Sequence, residues 1–248
     1  AGRQAAEFDQ ISARHAATLV CTVHISLYAM YSHSLYVPSS ERLLSMRTDG
    51  RRAATTAATR RAIIDAGRHL LAAGNWRGFT LDAVAAAAGV TRVTVYNQVH
   101  SKSGLLDAVL TDLTERAGMD QLLTATKAMP AEDARAYIVE RTCRFWHAER
   151  SVLRPLFGLS AVDRDIAANL AQREQWRTDQ LDRLLDRLAG ERPIAPPPLN
   201  LMPRSHVLAG LVAVTSFPAY DALGPLADDP TAAADIVNHL ALSLTGRP

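Results

Sequence analysis

Gly89 splits a short stretch of this chain into two helical runs, and the residues on either side of it dictate a sharp turn. Thr80 precedes Leu81-Asp82-Ala83-Val84-Ala85-Ala86-Ala87-Ala88. A threonine at that position accepts from a free amide of the first turn, and Asp82 favours the positive end of the helix. Gly89 takes a left-handed backbone without steric cost, Val90 tucks into the corner, and Thr91 caps a further helix from Arg92 to about Val99. Upstream, Ile63, Ile64, Leu70 and Leu71, with Ala66 and Gly67 between, repeat at helical spacing from Thr59, and Gly74-Asn75 ends that helix. The spacing predicts a helix, then two short helices joined by a tight turn.

The rest of the chain points to the same all-α class. Alanine is abundant, aromatics are only 6%, and 48% of the 248 residues are apolar, enough for a sizeable core. Cys21 and Cys143 match no metal-ligand or redox spacing, so neither a zinc module nor a disulfide scaffold is supported, and a reducing cytoplasmic setting fits. No run reaches the roughly 18 apolar residues of a membrane span. The net charge of +2 is unevenly divided. Residues 1–45 hold three basic and three acidic groups, residues 46–102 nine and three, and residues 103–248 fifteen and nineteen. A compact cationic segment joined to a mildly anionic body suggests a small nucleic-acid-binding module carried by a body with another task.

The helix from Arg92 suits a major groove about 12 Å wide. Val95 and Val99, four apart, face inward and leave Arg92, Val93, Thr94, Tyr96, Asn97 and Gln98 on the outer faces. Arg92 suits guanine, Asn97 or Gln98 adenine, and Val93 a thymine methyl, while Thr94, Tyr96 and Lys102 suit phosphate oxygens. Each residue also has a plain structural reading: Thr91 as a cap, Val95 and Val99 as core, Tyr96 as packing. Arg47, Arg51, Arg52, Arg60 and Arg61 read as a basic arm before the first helix, either solvated or touching the DNA backbone or minor groove.

Phe79-Thr80-Leu81, Val84-Ala85, Ala88-Gly89-Val90-Thr91, Thr94-Val95-Tyr96 and Ser101-Lys102 stand in the order and spacing of the TetR/AcrR family of transcriptional regulators, which residues 59–113 resemble. The resemblance implies a homodimer whose N-terminal helix-turn-helix reads a palindromic operator in double-stranded DNA. It also implies a C-terminal helical domain that binds a small-molecule effector and releases the DNA. By the family pattern Thr80, Thr94, Tyr96 and Lys102 anchor phosphates, Thr91 opens the recognition helix, and Arg92, Val93 and Asn97 approach base edges. Three positions depart from that pattern: Val93 replaces a frequent glycine, alanine or proline, Val99 a usual aromatic, and His100 a common proline.

The domain organisation expected is an extension over 1–45, a basic arm and helix-turn-helix over 46–102, and a ligand-binding and dimerisation domain over 103–248. Within the extension, Leu19, Cys21, Val23, Ile25 and Leu27 alternate like a lone strand, and polar Thr22, His24 and Ser26 interrupt what a secretory signal would need. Met46 is the expected natural start, with an ordinary N-terminal tail as the alternative. After Lys102, Leu105, Leu106, Val109, Leu110 and Leu113 form an amphipathic helix closed by Gly118. Further stripes follow at Tyr137 to Phe145, Leu181 to Leu188, Val207 to Thr215 and Ile236 to Leu244, with a proline-rich connection from about Gly190 to Pro203. The last two stripes are candidates for a dimer interface.

Phe145, Trp146, Phe157 and Trp176 are the candidate walls of an effector cavity, with core packing as the alternative, and His147 is a weaker candidate. No cofactor or metal is implied, and Asp163 and Asp165 read as a loop or helix start. Catalysis has no motif behind it: no phosphate loop, nucleophile elbow, His-Glu-x-x-His or paired cysteines. A helical-bundle enzyme and a sensor without sequence-specific DNA binding remain the alternatives from other classes.

Overall fold

The computed structural model describes residues 40–191 and 202–245, and these are helical throughout, with no strand among them. The strand-like alternation at 19–27, residues 1–39 of the expected extension and most of the proline-rich connection lie outside the described residues. Two units are distinguished, 1–54 and 55–248.

The first helix, α1 (Ser40–Ala72), starts well before Thr59. This corrects the expected basic arm: Arg47, Arg51 and Arg52 stand on a helix, as do Arg60 and Arg61. The alanines around 53–58 have the highest helix propensity of any residue and carry the helix upstream of its first apolar stripe.

α2 (Leu81–Ala88) and α3 (Arg92–Val99) follow, each opened by the expected threonine. The Ala83 amide donates to Thr80 Oγ1 at 3.2 Å and the Thr94 amide to Thr91 Oγ1 at 3.1 Å. Between them Gly89 has φ +67°, its amide donates to Ala86, and the Val90 amide donates to Ala85 at 3.0 Å. This paired closure satisfies carbonyls that would otherwise be orphaned and turns the chain within three residues. Ser101 caps α4 (Lys102–Arg116), and Gly118, at φ +66° with its amide donating to Glu115, closes the turn just beyond it.

The body comprises α5 (Leu122–Ala125), α6 (Ala131–Leu159), α7 (Arg164–Gly190), α8 (Arg204–Val214), α9 (Phe217–Asp221) and α10 (Pro230–Thr245). One core runs from the head into the body. Ile63, Phe79, Val84, Val95 and Val99 share it with Leu105, Leu106, Val109 and Leu113 of α4 and with Leu153, Leu156 and Ile166. Burying each such side chain is worth about 1.5–3 kcal/mol, so α4 is anchored on both sides by its own apolar stripe. α1 and α4 approach closely at Gly67, where an added Cβ would stand 3.0 Å from a Val109 methyl. A second cluster packs Leu181, Leu184, Leu185 and Leu188 of α7 against Leu211 and Ala241.

Candidate functional site

α3 turns its two valines inward and presents the opposite side to solvent. Val95 is fully buried and Val99 nearly so, whereas Val93 is 68% and Tyr96 54% exposed. Arg92 and Asn97 are exposed beside them, as are Thr80 and Thr91 at the two helix starts. Thr94 is half-buried, its hydroxyl 2.9 Å from that of Thr91. Arg92 makes only a 3.5 Å pair with Asp82, both well exposed, and such a pair holds an arginine weakly. Arg60 donates to the Gln98 carbonyl at 2.9 Å, placing a cation at the negative end of α3 and fixing that helix on α1. Six of the eight expected DNA-facing residues are thus exposed, and Thr94 and Lys102 are half-buried.

Lys102 differs. It is half-buried, its ammonium stands 3.6 Å over the Trp76 ring centroid and donates to the Trp76 carbonyl at 3.1 Å. Burial pushes its pKa down, with Asp163 and Asp165 opposing. The Trp76 indole N–H in turn donates to Asp163 Oδ2 at 2.6 Å. Asp163 also caps α7 by accepting from the amides of Asp165 and Ile166, the helix start expected there, and these bonds hold its carboxyl below its ordinary range.

In the body, a cavity of about 530 Å³ opens between α4, α6 and α7. Phe145, Trp146, Phe157 and Trp176 all line it. The first three also belong to an aromatic cluster with Phe217, in which Phe157 stacks on Phe217 at 5.0 Å and Trp146 meets it edge-on at 5.7 Å. Trp146 is oriented by its N–H to the Thr215 carbonyl. His147 lies apart from the cavity, with Nδ1 3.1 Å from the Ala227 carbonyl. The volume falls within the range of small-molecule sites, and most of the lining is apolar.

Two arginines supply the cations of that lining. Arg177 bonds to Glu174, Thr215 and the Val212 carbonyl. Arg173 reaches across to α4, its Nη2 donating to the Asp107 carbonyl and carboxylate and to Thr111 Oγ1. Sequence reasoning missed the pairs Arg173–Asp107 and Trp76–Asp163, because each spans more than 60 residues and no local spacing marks it. Among the described residues no cluster of three or more His, Cys, Asp or Glu could hold a metal ion. Burial pushes the Cys143 thiol up to about 12, which leaves it un-ionised and a poor nucleophile. No helix among them is long and apolar enough to cross a membrane.

Residues 63–109 match the family of bacterial regulatory proteins of the tetR type. That span covers the end of α1, both short helices and half of α4, with Gly89 and its two threonine caps at the centre. Over this segment the chain carries a tetR-type helix-turn-helix. Over 63 residues it is 40% identical to the HTH-type transcriptional regulator AlkX of Mycobacterium tuberculosis, a match covering 25% of this chain and 30% of that protein. The chain thus aligns with less than a third of that relative's length. The fold is shared more widely. A proposed TetR-family transcriptional regulator from Rhodococcus sp. superposes with a TM-score of 0.60 at 15% identity, covering 77% of this chain and all of that one. A transcriptional regulator from Rhodococcus sp. Rha1 does so at 0.53 and 18%, covering 74% and 96%. All three are described as transcriptional regulators.

Proposed function

We propose that this chain is a ligand-responsive transcriptional regulator, a repressor that binds a palindromic operator as a homodimer in the cytoplasm and leaves it when a small molecule fills the body cavity. The observation that carries the reading is the outward face of α3. A two-valine anchor and a glycine turn hold Arg92, Val93, Tyr96 and Asn97 on one rigid exposed side, with the geometry that enters a major groove. Thr80, Thr91 and Thr94 flank that face as phosphate ligands, and an ammonium with three donors keeps capacity for a phosphate beyond its Trp76 contact.

The dimer is built by α8 and α10. Leu211, Val237 and Ala241 are buried within the chain, while Leu240 on α10 is 44% exposed. Pairing these helices with their two-fold copies makes a four-helix packing that covers the exposed apolar positions. Two recognition helices then sit on one duplex at a fixed separation. An effector between α6 and α7 changes that separation through α4, which both forms a cavity wall and shares the core of the head.

Binding of variants to an operator duplex by fluorescence anisotropy tests the assignment. Tyr96→Phe and Lys102→Ala weaken binding to every sequence, whereas Arg92→Ala and Asn97→Ala cost about 1–3 kcal/mol and relax preference at particular base pairs. Uniform loss in all four variants overturns the groove assignment.

A further inference from the structure

Among the polar groups around the cavity, Arg173 Nε stands out. It is buried without a hydrogen-bond partner, while the same guanidinium is tied to α4 through Nη2. The neighbouring Arg177 makes hydrogen bonds from all three of its nitrogens and has nothing comparable to offer. A buried Nε–H without an acceptor carries its full desolvation cost, and a carboxylate that draws the side chain into the cavity satisfies it through the guanidinium's planar fork. Burial lowers the Arg173 pKa, and Asp107 opposes that shift. Asp107 is poorly placed to hold its partner against competition: its side chain is 57% exposed, that of Arg173 only 27%. Losing the pair returns Asp107 to water at little cost, whereas Arg173 stays in the wall and takes whatever anion is there.

We propose that the effector is a carboxylic acid with an apolar body, whose carboxylate takes over Arg173 from Asp107 while the body lies against Phe145, Trp146 and Phe157. The inference rests on the cavity being the effector site and adds the ligand's class and the contact that ligand breaks. Exchange of partners at Arg173 removes the side-chain bond from α7 to α4 at Asp107 and leaves Asn169 to Ser103 as the remaining side-chain bond there, which loosens the hold of α7 on α4 next to the DNA-reading head. A neutral or cationic amphiphile of the same length fills the cavity without making the exchange.

The test uses the full chain without DNA and three matched probes, sodium decanoate, 1-decanol and decylammonium, with binding followed by tryptophan fluorescence and calorimetry. Decanoate is expected to bind at least tenfold more tightly than decylammonium. Arg173→Gln is expected to weaken decanoate tenfold or more while changing decanol less than about twofold. Asp107→Asn, which removes the competing carboxylate and leaves Arg173 in place, is expected to tighten decanoate. Equal affinity for the three probes, or an Arg173→Gln variant that holds decanoate as well as the parent, overturns the acid assignment and leaves the cavity as the effector site. Absence of binding by all three overturns the cavity reading and this inference with it. Neither result depends on whether the protein binds an operator.

Discussion

The Lys102 ammonium stands 3.6 Å above the Trp76 ring, and the same indole donates to Asp163. One aromatic side chain thus joins the loop after α1, the start of α4 and the cap of α7. Trp76 also stacks on the fully buried Phe79 at 5.3 Å, so the loop is held to the core of the head.

Trp76→Phe keeps an aromatic at this junction but removes the donor to Asp163. Asp163→Ala removes that acceptor and the α7 cap together, and is expected to cost about 1 kcal/mol or more in urea unfolding, the usual penalty for a lost cap. Its carboxyl is held below the ordinary range chiefly by the Ile166 amide and also by Trp76. A depressed folded pKa means stability present above the unfolded carboxylate range and lost as pH falls through the folded value. The parent is expected to lose stability on acidification below about pH 4. Asp163→Asn should flatten that part of the profile; an unchanged slope would count against the role assigned to this carboxylate.

Arg68 and Glu149 join α1 to α6, with one guanidinium nitrogen 2.8 and 2.9 Å from the two carboxylate oxygens. The Glu149 side chain is 11% exposed and that of Arg68 33%, so the partners are unequal. Arg68→Ala strands a buried carboxylate and is expected to cost about 2–3 kcal/mol, whereas Glu149→Ala leaves an arginine that reaches water and costs nearer ~1 kcal/mol. Equal losses in chemical denaturation would contradict this asymmetry.

His100 closes α3 at φ +60°, the one non-glycine residue with positive φ among the described residues. A side chain there costs about 1–2 kcal/mol, and a glycine gives back about 0.5–1 kcal/mol through its freer unfolded chain. His100→Gly is therefore expected to stabilise the protein by roughly 0.5–1 kcal/mol, raising Tm by a few degrees. His100→Pro cannot adopt the angle and is expected to lower Tm, although proline is common there in the family pattern. A fall in Tm for the glycine variant would show that the histidine side chain contributes more than its strain costs.

The Cys143 thiol, pushed up to about 12 by burial, should resist iodoacetamide at pH 8 until the protein unfolds. Because the raised value favours the neutral thiol in the fold, this site contributes stability below the ordinary thiol range and loses it as pH rises above about 8.5. Peptide mapping that finds Cys143 alkylated in the folded protein would contradict its burial.

What the sequence made legible is what a few neighbouring residues decide between themselves. Thr80, Gly89 and Thr91 act through bonds three to five residues long, so the turn and both caps were readable, and with them the inward valines and outward face of α3. Phe145, Trp146, Phe157 and Trp176 stand out in the sequence as large aromatics within the body helices, and the fold brings them to one cavity. The upstream reach of α1 escaped because its alanine and arginine residues carry no apolar period, only propensity. The Trp76 contact of Lys102 was not legible, because the partners stand 26 residues apart and leave no trace in the local sequence. Arg173 and Asp107, 66 apart, meet only because α4 and α7 pack side by side.

The most direct test of the central claim is selection of bound duplexes from a random-sequence DNA pool by the purified chain, at physiological salt with competitor DNA. Enrichment of an inverted repeat, with half-sites about one helical turn apart or a multiple of it, is the expected result. A folded, dimeric protein that enriches no sequence would contradict the account.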